Sequence, residues 1–482
     1  MRSIRRGQSR HTEGFILNIE ETLKQVKRVH FIGIGGSGMT PLAEILISNG
    51  YTVTGSDNNP GDNIDKLRSL GAEIVMGQSA DNIRDLSPEL IIYTAAILPD
   101  NPELVAAKES GIPCAERAVL FGAISRMYDN CICICGTHGK TTTTSMISQI
   151  MVEAGKDPTL VIGGRLPLID SHGRAGQSDV MVAEACEFKD HFLTLSPDTT
   201  VVLNIDDDHM EYFKTMENVI RSYTKFINMT TKVVIYNGDD DNTCKAVENA
   251  EKPEGKKFIS FGLKEGSRYT AKNITYNRGA FAEYDCFCEG GFLVHVKLGI
   301  PGSHNVYNSL GVIAAAMENG VAPDDIEKYI ENFKGAGRRF EILGEYGGIT
   351  VADDYAHHPT ELTAILSTVM KMGYHSVWAV FQPFTYSRTY MLMDDFAKAL
   401  QIPDHCVMTE IMGSRERNEW NVYTSQLAEK VPGSVWFNTF DEVTDYVEAH
   451  AEPGDLIITL GCGDIYKAAK TMVRDYREKF GE

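Results

Sequence analysis

The stretch that decides the fold is Cys131–Thr144, CICICGTHGKTTTT. Its opening run alternates cysteine and isoleucine and reads as a short buried strand. Gly136 breaks the run. After Lys140 come four threonines and the pattern MISQIMVEAG, which reads as a helix. Strand, glycine turn, lysine and a hydroxyl at a helix start together make a phosphate cradle. Backbone N–H groups of the turn and the helix N-terminus point at anionic oxygens, Lys140 adds a point charge, and the Thr141 hydroxyl can hold Mg²⁺. Only Thr137 and His138 separate Gly136 from Gly139, a shorter spacing than the usual Walker A loop. The plainer alternative is a chance glycine turn before a helix, but strand, turn and helix context agree. Cys131, Cys133 and Cys135 fall on one face of the strand. They are expected to pack as small apolar side chains, since structural zinc sites use tight loops instead.

The rest of the chain fits a nucleotide-using enzyme. At 482 residues, about three domains are expected. The net charge of −20 argues against non-specific binding of nucleic acid or anionic membrane, so any cations that meet phosphate must be gathered locally. No apolar run is long enough to span a bilayer, so no membrane insertion is expected. The basic opening MRSIRRGQSR has no apolar h-region after it and reads as a loose tail, which implies a cytoplasmic chain. Ten cysteines in this length do not suggest a disulfide framework.

Strand–helix alternation divides the chain into a tail over 1–23 and three α/β units over 24–126, 127–334 and 335–482. The first unit opens with VHFIGIGGSGMTPLAEILISNGYTVTGSD, a strand, glycine turn, helix and strand. Gly33, Gly35, Gly36 and Gly38 crowd the turn, with Ser37 and Met39 beside them. Asp57 ends the next strand, about where a dinucleotide fold places its ribose-binding acid. Alone, this pattern suits NAD or a sugar nucleotide.

The second unit carries the phosphate loop. DVMVAEACEF and TTVVLNIDDDHMEYF each read as a strand with acids or histidine at its end, which puts Glu184 and His209 where an α/β sheet places its chemistry. Glu184 suits Mg²⁺. His209 suits a looser second metal position or, more plainly, a helix cap. Glu187 and the run Asp206–Asp208 are expected in a solvated loop. In GIPGSHNVYNSLGVIAAAM, His304, Asn305 and Asn308 lie on the first turns of an apolar helix, within reach of an adenine or phosphate edge. The third unit opens at GAGRRFE, where Arg338 and Arg339 follow a flexible hinge. His357 and His358 precede Pro359 at a helix start. Arg388 lies past a strand, placed to hold a carboxylate, or else to form a surface ion pair.

Together, GIGGSGM, GTHGKTTT, the AE of VAEACE, NIDDDHM, GSHNVYN, GRRFE and DDYAHHP resemble the Mur ligase family, in that family's order and across nearly the whole chain. The resemblance implies a UDP-binding Rossmann-like domain, a central P-loop ATPase domain with a parallel-rich sheet, and a C-terminal Rossmann-like domain. It implies an ATP-dependent amide ligase that works through an acyl phosphate, with Mg²⁺. GIGGSGM and DDYAHHPTE look like the branch that joins L-alanine to UDP-N-acetylmuramate in peptidoglycan precursor synthesis. It further implies that the turn Gly33–Gly38 with Asp57 holds the UDP-sugar. Lys140 would contact the ATP phosphates, Thr141 and Glu184 one Mg²⁺, and His209 a second. The loop from Gly136 to Thr142 and Asn308 would complete the ATP site. Asn305, beside His304, would read adenine. Arg339 or Arg338 would reach the ATP, Asp353 or Asp354 would lie near the ribose, and His357 and Arg388 would line the amino-acid pocket.

Three departures stand out. The family's FQPHRY-[ST]-RT reads FQPFTYSRT, so Phe384 and Thr385 replace a His-Arg pair. Its EADES reads EACEF, with Cys186 and Phe188. Its GH reads Gly77-Gln78. The first leaves the acceptor open among L-alanine, glycine and L-serine. The rival expectations are a ligase that recycles a murein tripeptide onto the same sugar nucleotide, a non-catalytic nucleotide-binding paralogue, and an NAD-dependent oxidoreductase. The last leaves GTHGKTTT without a purpose. Oligomeric state is left open.

Overall fold

The computed structural model describes residues 18–481 apart from Arg415. The basic opening lies outside the described residues. Within the segment expected as tail, Ile19–Gln25 forms a helix capped by Asn18, and it buries Ile19 and Leu23. The pair is spaced i,i+4, so both face the first core.

Three sheets follow in chain order. The first has five strands, all parallel, in the spatial order Glu73–Met76, Thr52–Asp57, Arg28–Ile32, Leu90–Tyr93, Cys114–Glu116. The connections diverge to either side of Arg28–Ile32. The glycine turn therefore leaves the sheet at its switch point, where such folds open a crevice.

The central sheet has ten strands. Asn130–Cys135 lies in its middle, parallel to Thr199–Val202 on one side and Val180–Glu184 on the other. Alternation works as read: Cys131, Cys133 and Cys135 join the core shared with the first domain, and Ile132 and Ile134 join the core on the opposite face. The ten cysteines are all free. Both edges depart from parallel order: Ser171–Arg174 runs antiparallel to Thr159–Leu166 at one, and at the other Tyr269–Asn277, Phe281–Cys288 and Gly291–Pro301 form an antiparallel meander. Its second turn is the pair Glu289-Gly290, both at positive φ (50° and 81°), as a two-residue hairpin turn requires.

The third sheet has six strands, parallel except for its edge Glu341–Tyr346. The hinge Gly335–Gly337 is fastened to the central domain by Gly337 N–H, which donates to the Arg165 carbonyl at 2.7 Å. No helix among the described residues is long and apolar enough to cross a membrane.

Candidate active site

The phosphate loop runs from the strand Asn130–Cys135 into the helix Lys140–Glu153. Asn204 clamps it: His138 N–H donates to Asn204 Oδ1 at 2.8 Å and Asn204 Nδ2 donates to the His138 carbonyl at 3.0 Å. Gly139 has φ +83° and faces Asn308; a Cβ there would lie 2.7 Å from Asn308 Oδ1. Conformation and space both require glycine.

Lys140 Nζ donates to the carbonyls of Gly136 (2.6 Å) and Thr137 (2.9 Å) and pairs with Glu187 at 2.9 Å. Glu187 is 2% exposed, so the solvated loop expected for it is wrong. The reason is local: Lys189 and Asp190 take left-handed φ (51° and 60°), and the chain turns Glu187 inward. Burial opposes the Lys140 charge, but the Glu187 carboxylate outweighs it and holds the ammonium protonated.

Thr141 Oγ1 donates to Glu184 Oε1 at 2.9 Å, and Gly163 N–H donates to the other Glu184 oxygen at 2.7 Å. A hydroxyl and a braced carboxylate, both hard oxygens, fit one Mg²⁺. Among the described residues no group of three or more His, Cys, Asp or Glu side chains converges as a metal site. The donor set thus suits an ion that keeps waters and substrate phosphates as its remaining ligands.

His209 lines the same chamber as Lys140, Thr141 and Glu184, a space of about 800 Å³. It starts the helix Met210–Phe213 at φ 56° but makes no side-chain capping bond. Its ring lies 4.8 Å from that of Phe188, one of the departures from the family pattern. Of the acids before it, Asp207 is exposed and Asp206 half-exposed, as a solvated loop would have them, and only Asp208 is drawn inward. Asp208 accepts from Arg388 Nη2 at 3.2 Å, each about one-sixth exposed, and Asp206 pairs with His138 at 3.4 Å. Arg388 therefore does form an ion pair, but one that joins the central and third domains.

The nucleotide-sized cleft, about 310 Å³, lies between the phosphate loop and the third domain. His138, Gly139 and Thr142 line one wall, His304, Asn305 and Asn308 the next, and Arg339 and Asp354 the third-domain side. Asn305 is fixed: Nδ2 donates to Pro301 O (2.7 Å) and Oδ1 accepts from Asn308 Nδ2 (2.8 Å). Burial lowers His304 to about 4, so its ring is neutral. Of the two arginines, Arg338 is committed to Asp353 (2.8 Å) and the Gly461 carbonyl (2.6 Å), and Asp353 also accepts from Thr459. Arg339 and Asp354 are the pair that faces the cleft. Asp354 accepts the N–H groups of Phe340 and Ala356, yet burial raises it to about 6.

His138 reaches across to the third domain, 3.8 Å from Glu361. Burial alone would lower its pKa, but Asp206 and Glu361 raise it to about 9. Burial pushes His357 down to about 4. Its Nδ1 lies 3.0 Å from the Tyr355 carbonyl, which fixes the proton there and leaves the Nε2 lone pair for the chamber. Phe384 stacks edge-on to His357 at 6.2 Å, and Thr385 caps the helix Tyr386–Met391 through Arg388 N–H.

In the first domain a cleft of about 1130 Å³ is lined by Gly33, Gly35, Gly36 and Asp57. Both Asp57 oxygens brace its rim, accepting from Gly35 N–H (2.9 Å) and Asn59 N–H (3.0 Å). Ser37, Gly38 and Met39 face a smaller adjoining space that ends at Glu184. Arg117 lies in that space, its guanidinium 3.2 Å from where a Gly38 Cβ would be, with no hydrogen bond or ion pair to another described residue. Sequence reasoning missed Arg117, Asn204, Glu187 and Glu361. Arg117 had one usable signal, its place at the start of the helix Arg117–Ser125 after a parallel strand.

Sequence profiles match all three domains: "Mur ligase family, catalytic domain" over 28–129, "Mur ligase middle domain" over 134–316, and "Mur ligase, glutamate ligase domain" over 338–463. The UDP-N-acetylmuramate–L-alanine ligase of Alkaliphilus metalliredigens is 41% identical over 94% of this chain and 98% of its own. The chain belongs to the Mur ligase family. The enzyme of that name from Acetivibrio thermocellus is also 41% identical, over 93% of this chain and 96% of its own. Among solved Mur ligases, the UDP-N-acetylmuramate–alanine ligase of Thermotoga maritima superposes with a TM-score of 0.80 at 28% identity, covering 94% of this chain and 99% of that one. A murein peptide ligase from Psychrobacter arcticus superposes with a TM-score of 0.74 at 22% identity, covering 93% and 98%, and shares the fold.

Proposed function

We propose that this Mur ligase joins L-alanine to the lactyl carboxylate of UDP-N-acetylmuramate at the expense of ATP. The observation that carries the reading is continuity. The first-domain cleft opens into the chamber that holds Lys140, Thr141 and Glu184, and Gly139, Arg339 and Glu361 line both that chamber and the nucleotide cleft. One substrate can lie along the first two spaces while ATP enters from the third.

The residues then divide the work. In the turn Gly33–Gly38 the N–H groups of Gly33, Ile34, Gly35 and Gly36 are held within the protein, which leaves those of Ser37 and Gly38 for the diphosphate, and Arg117 supplies a cation beside them. The loop Gly136–Thr142 cradles the ATP phosphates, and Lys140 must leave Glu187 to meet them. Asn305, Asn308 and His304 form the wall for adenine. Arg339 balances charge from the third domain, and Asp354 faces the ribose. Thr141 and Glu184 hold Mg²⁺, which offsets the charge on the phosphates, and His209 lines the same side.

The lactyl carboxylate attacks the γ-phosphorus, ADP leaves, and an acyl phosphate forms. The alanine amine attacks the acyl carbon, phosphate leaves, and the amine proton goes to the neutral His357 Nε2. Arg388 holds the alanine carboxylate, with Phe384 packed beside His357 and Thr385 standing where the family has an arginine.

The test is phosphate release from ATP with UDP-N-acetylmuramate, assayed separately with L-alanine, glycine, L-serine and a meso-diaminopimelate tripeptide. Release that requires L-alanine, with the amide product seen by mass, is the expected outcome. Release only with the tripeptide would move the activity to peptide recycling, and no release with any acceptor would leave a nucleotide-binding paralogue.

A further inference from the structure

We infer that His172 holds the muramyl sugar of the substrate, donating a hydrogen bond from Nε2 in the seam between the first-domain cleft and the catalytic chamber. The inference rests on the ligase reading above and names a positioning residue within it.

The two spaces share five lining residues: Asp62, Arg165, His172, Tyr466 and Lys470. A substrate with its diphosphate on the glycine turn and its carboxylate at Lys140 and Glu184 must cross this seam, and the part that crosses is the sugar. Most of the seam is already committed. Arg165 is paired with Asp170. Tyr466 carries the Arg338 guanidinium (4.8 Å) and the Lys470 ammonium (5.4 Å) against its ring.

His172 is different. Its Nδ1 is sealed in the protein without a hydrogen-bond partner. Its Nε2 is not sealed in this way, and it makes no hydrogen bond with another described residue. A sealed N–H with no acceptor costs more than a sealed lone pair. The ring proton therefore belongs on Nε2, on the side of the seam. Burial, with Arg165 and Lys66 nearby, lowers the ring to about 4 and keeps it neutral. A neutral N–H donor matches an uncharged oxygen, such as the acetamido carbonyl or a sugar oxygen, better than a diphosphate.

The strand Ser171–Arg174 that carries the ring is pinned to the first domain. Ser171 Oγ donates to Glu44 Oε1 at 3.1 Å, Glu44 is paired with Lys66 at 3.0 Å, and a Cβ on Gly173 would lie 2.7 Å from Pro41. The donor is thus fixed relative to the glycine turn before substrate arrives.

The experiment is calorimetric titration of the full chain, as wild type, His172→Ala and His172→Gln, with UDP and with UDP-N-acetylmuramate, together with KM for each substrate. His172→Ala is expected to bind UDP-N-acetylmuramate about tenfold more weakly, with UDP binding unchanged. KM should rise for the sugar nucleotide alone. His172→Gln, whose amide nitrogen reaches near the Nε2 position, should recover most of the loss. Equal weakening toward UDP and the sugar nucleotide would mean a structural role and overturn the inference, as would unchanged affinity for both. Failure of the wild type to bind UDP-N-acetylmuramate while binding ATP would overturn the ligase reading and the inference with it.

Discussion

The Lys140 ammonium lies 2.9 Å from Glu187 Oε2, in a site where Glu187 is almost wholly buried. A carboxylate thus stands against the lysine whose partner in a phosphate cradle is a phosphate. Nucleotide and Glu187 compete for one cation. Removing Glu187 leaves Lys140 with only loop carbonyls, so Glu187→Ala should destabilise the free protein by about 3 kcal/mol. ATP should then stabilise the variant by more than it stabilises wild type, because it restores the missing charge. Thermal unfolding with and without ATP checks this, and an equal ATP-induced shift in both proteins would contradict it.

Glu184 is held between Thr141 and Gly163 N–H. Glu184→Gln keeps the shape and removes the charge. The Mg²⁺ concentration for half-maximal activity should rise by about tenfold or more, with KM for L-alanine little changed. A Mg²⁺ titration of the variant that overlays wild type would place the metal elsewhere.

Arg388 meets Asp208 across the domain boundary, and its helix is capped by Thr385. Arg388→Ala should raise KM for L-alanine by at least about tenfold, since a charge-assisted bond to the acceptor carboxylate is lost, while KM for ATP stays near wild type. Thr385→Ala removes only the cap and should cost about 1 kcal/mol of stability. Steady-state kinetics and chemical denaturation separate the two.

His138 supplies a pH signature. Its native pKa of about 9 stands above the ordinary 6.5, held there by Asp206 and Glu361 against burial. Between those values the native protein keeps a proton that the unfolded chain releases. The stabilisation is complete below pH 6.5 and is lost as pH rises through about 9. Stability measured from pH 6 to 10 should fall over that window, and the fall should flatten in His138→Gln. A variant with the wild-type slope would assign the titration to another group.

Much of this was legible in the sequence because local and global signals coincide there. The alternating Cys-Ile strand, the glycine turn and the helix after Lys140 each point to one structure, and the cysteine and isoleucine faces pack into different cores as alternation requires. The glycine turn of the first domain was legible as a turn at a sheet's carboxyl edge but not as the braced rim of a cleft, since nothing in GSD says that both Asp57 oxygens turn back to N–H groups of Gly35 and Asn59. Glu187 was misread because an acid in a polar loop looks solvated. Its burial goes with left-handed φ at Lys189 and Asp190, and although Asp tolerates that region, nothing about Lys189 announces it. The choice between Arg338 and Arg339 needed three dimensions, because the Asp353 that claims Arg338 is 15 residues away, on the second strand after it. Contacts between domains, such as His138 with Glu361, have no local signature at all.

The most direct measurement follows the carboxylate oxygen. UDP-N-acetylmuramate carrying heavy oxygen in its lactyl carboxylate is turned over with ATP, Mg²⁺ and L-alanine, and the released phosphate is analysed by mass. If the chamber brings that carboxylate to the γ-phosphorus, each phosphate released carries one heavy oxygen and the amide product keeps the other. Unlabelled phosphate, released without loss of label from the sugar nucleotide, would show that water attacks ATP instead and would contradict the account.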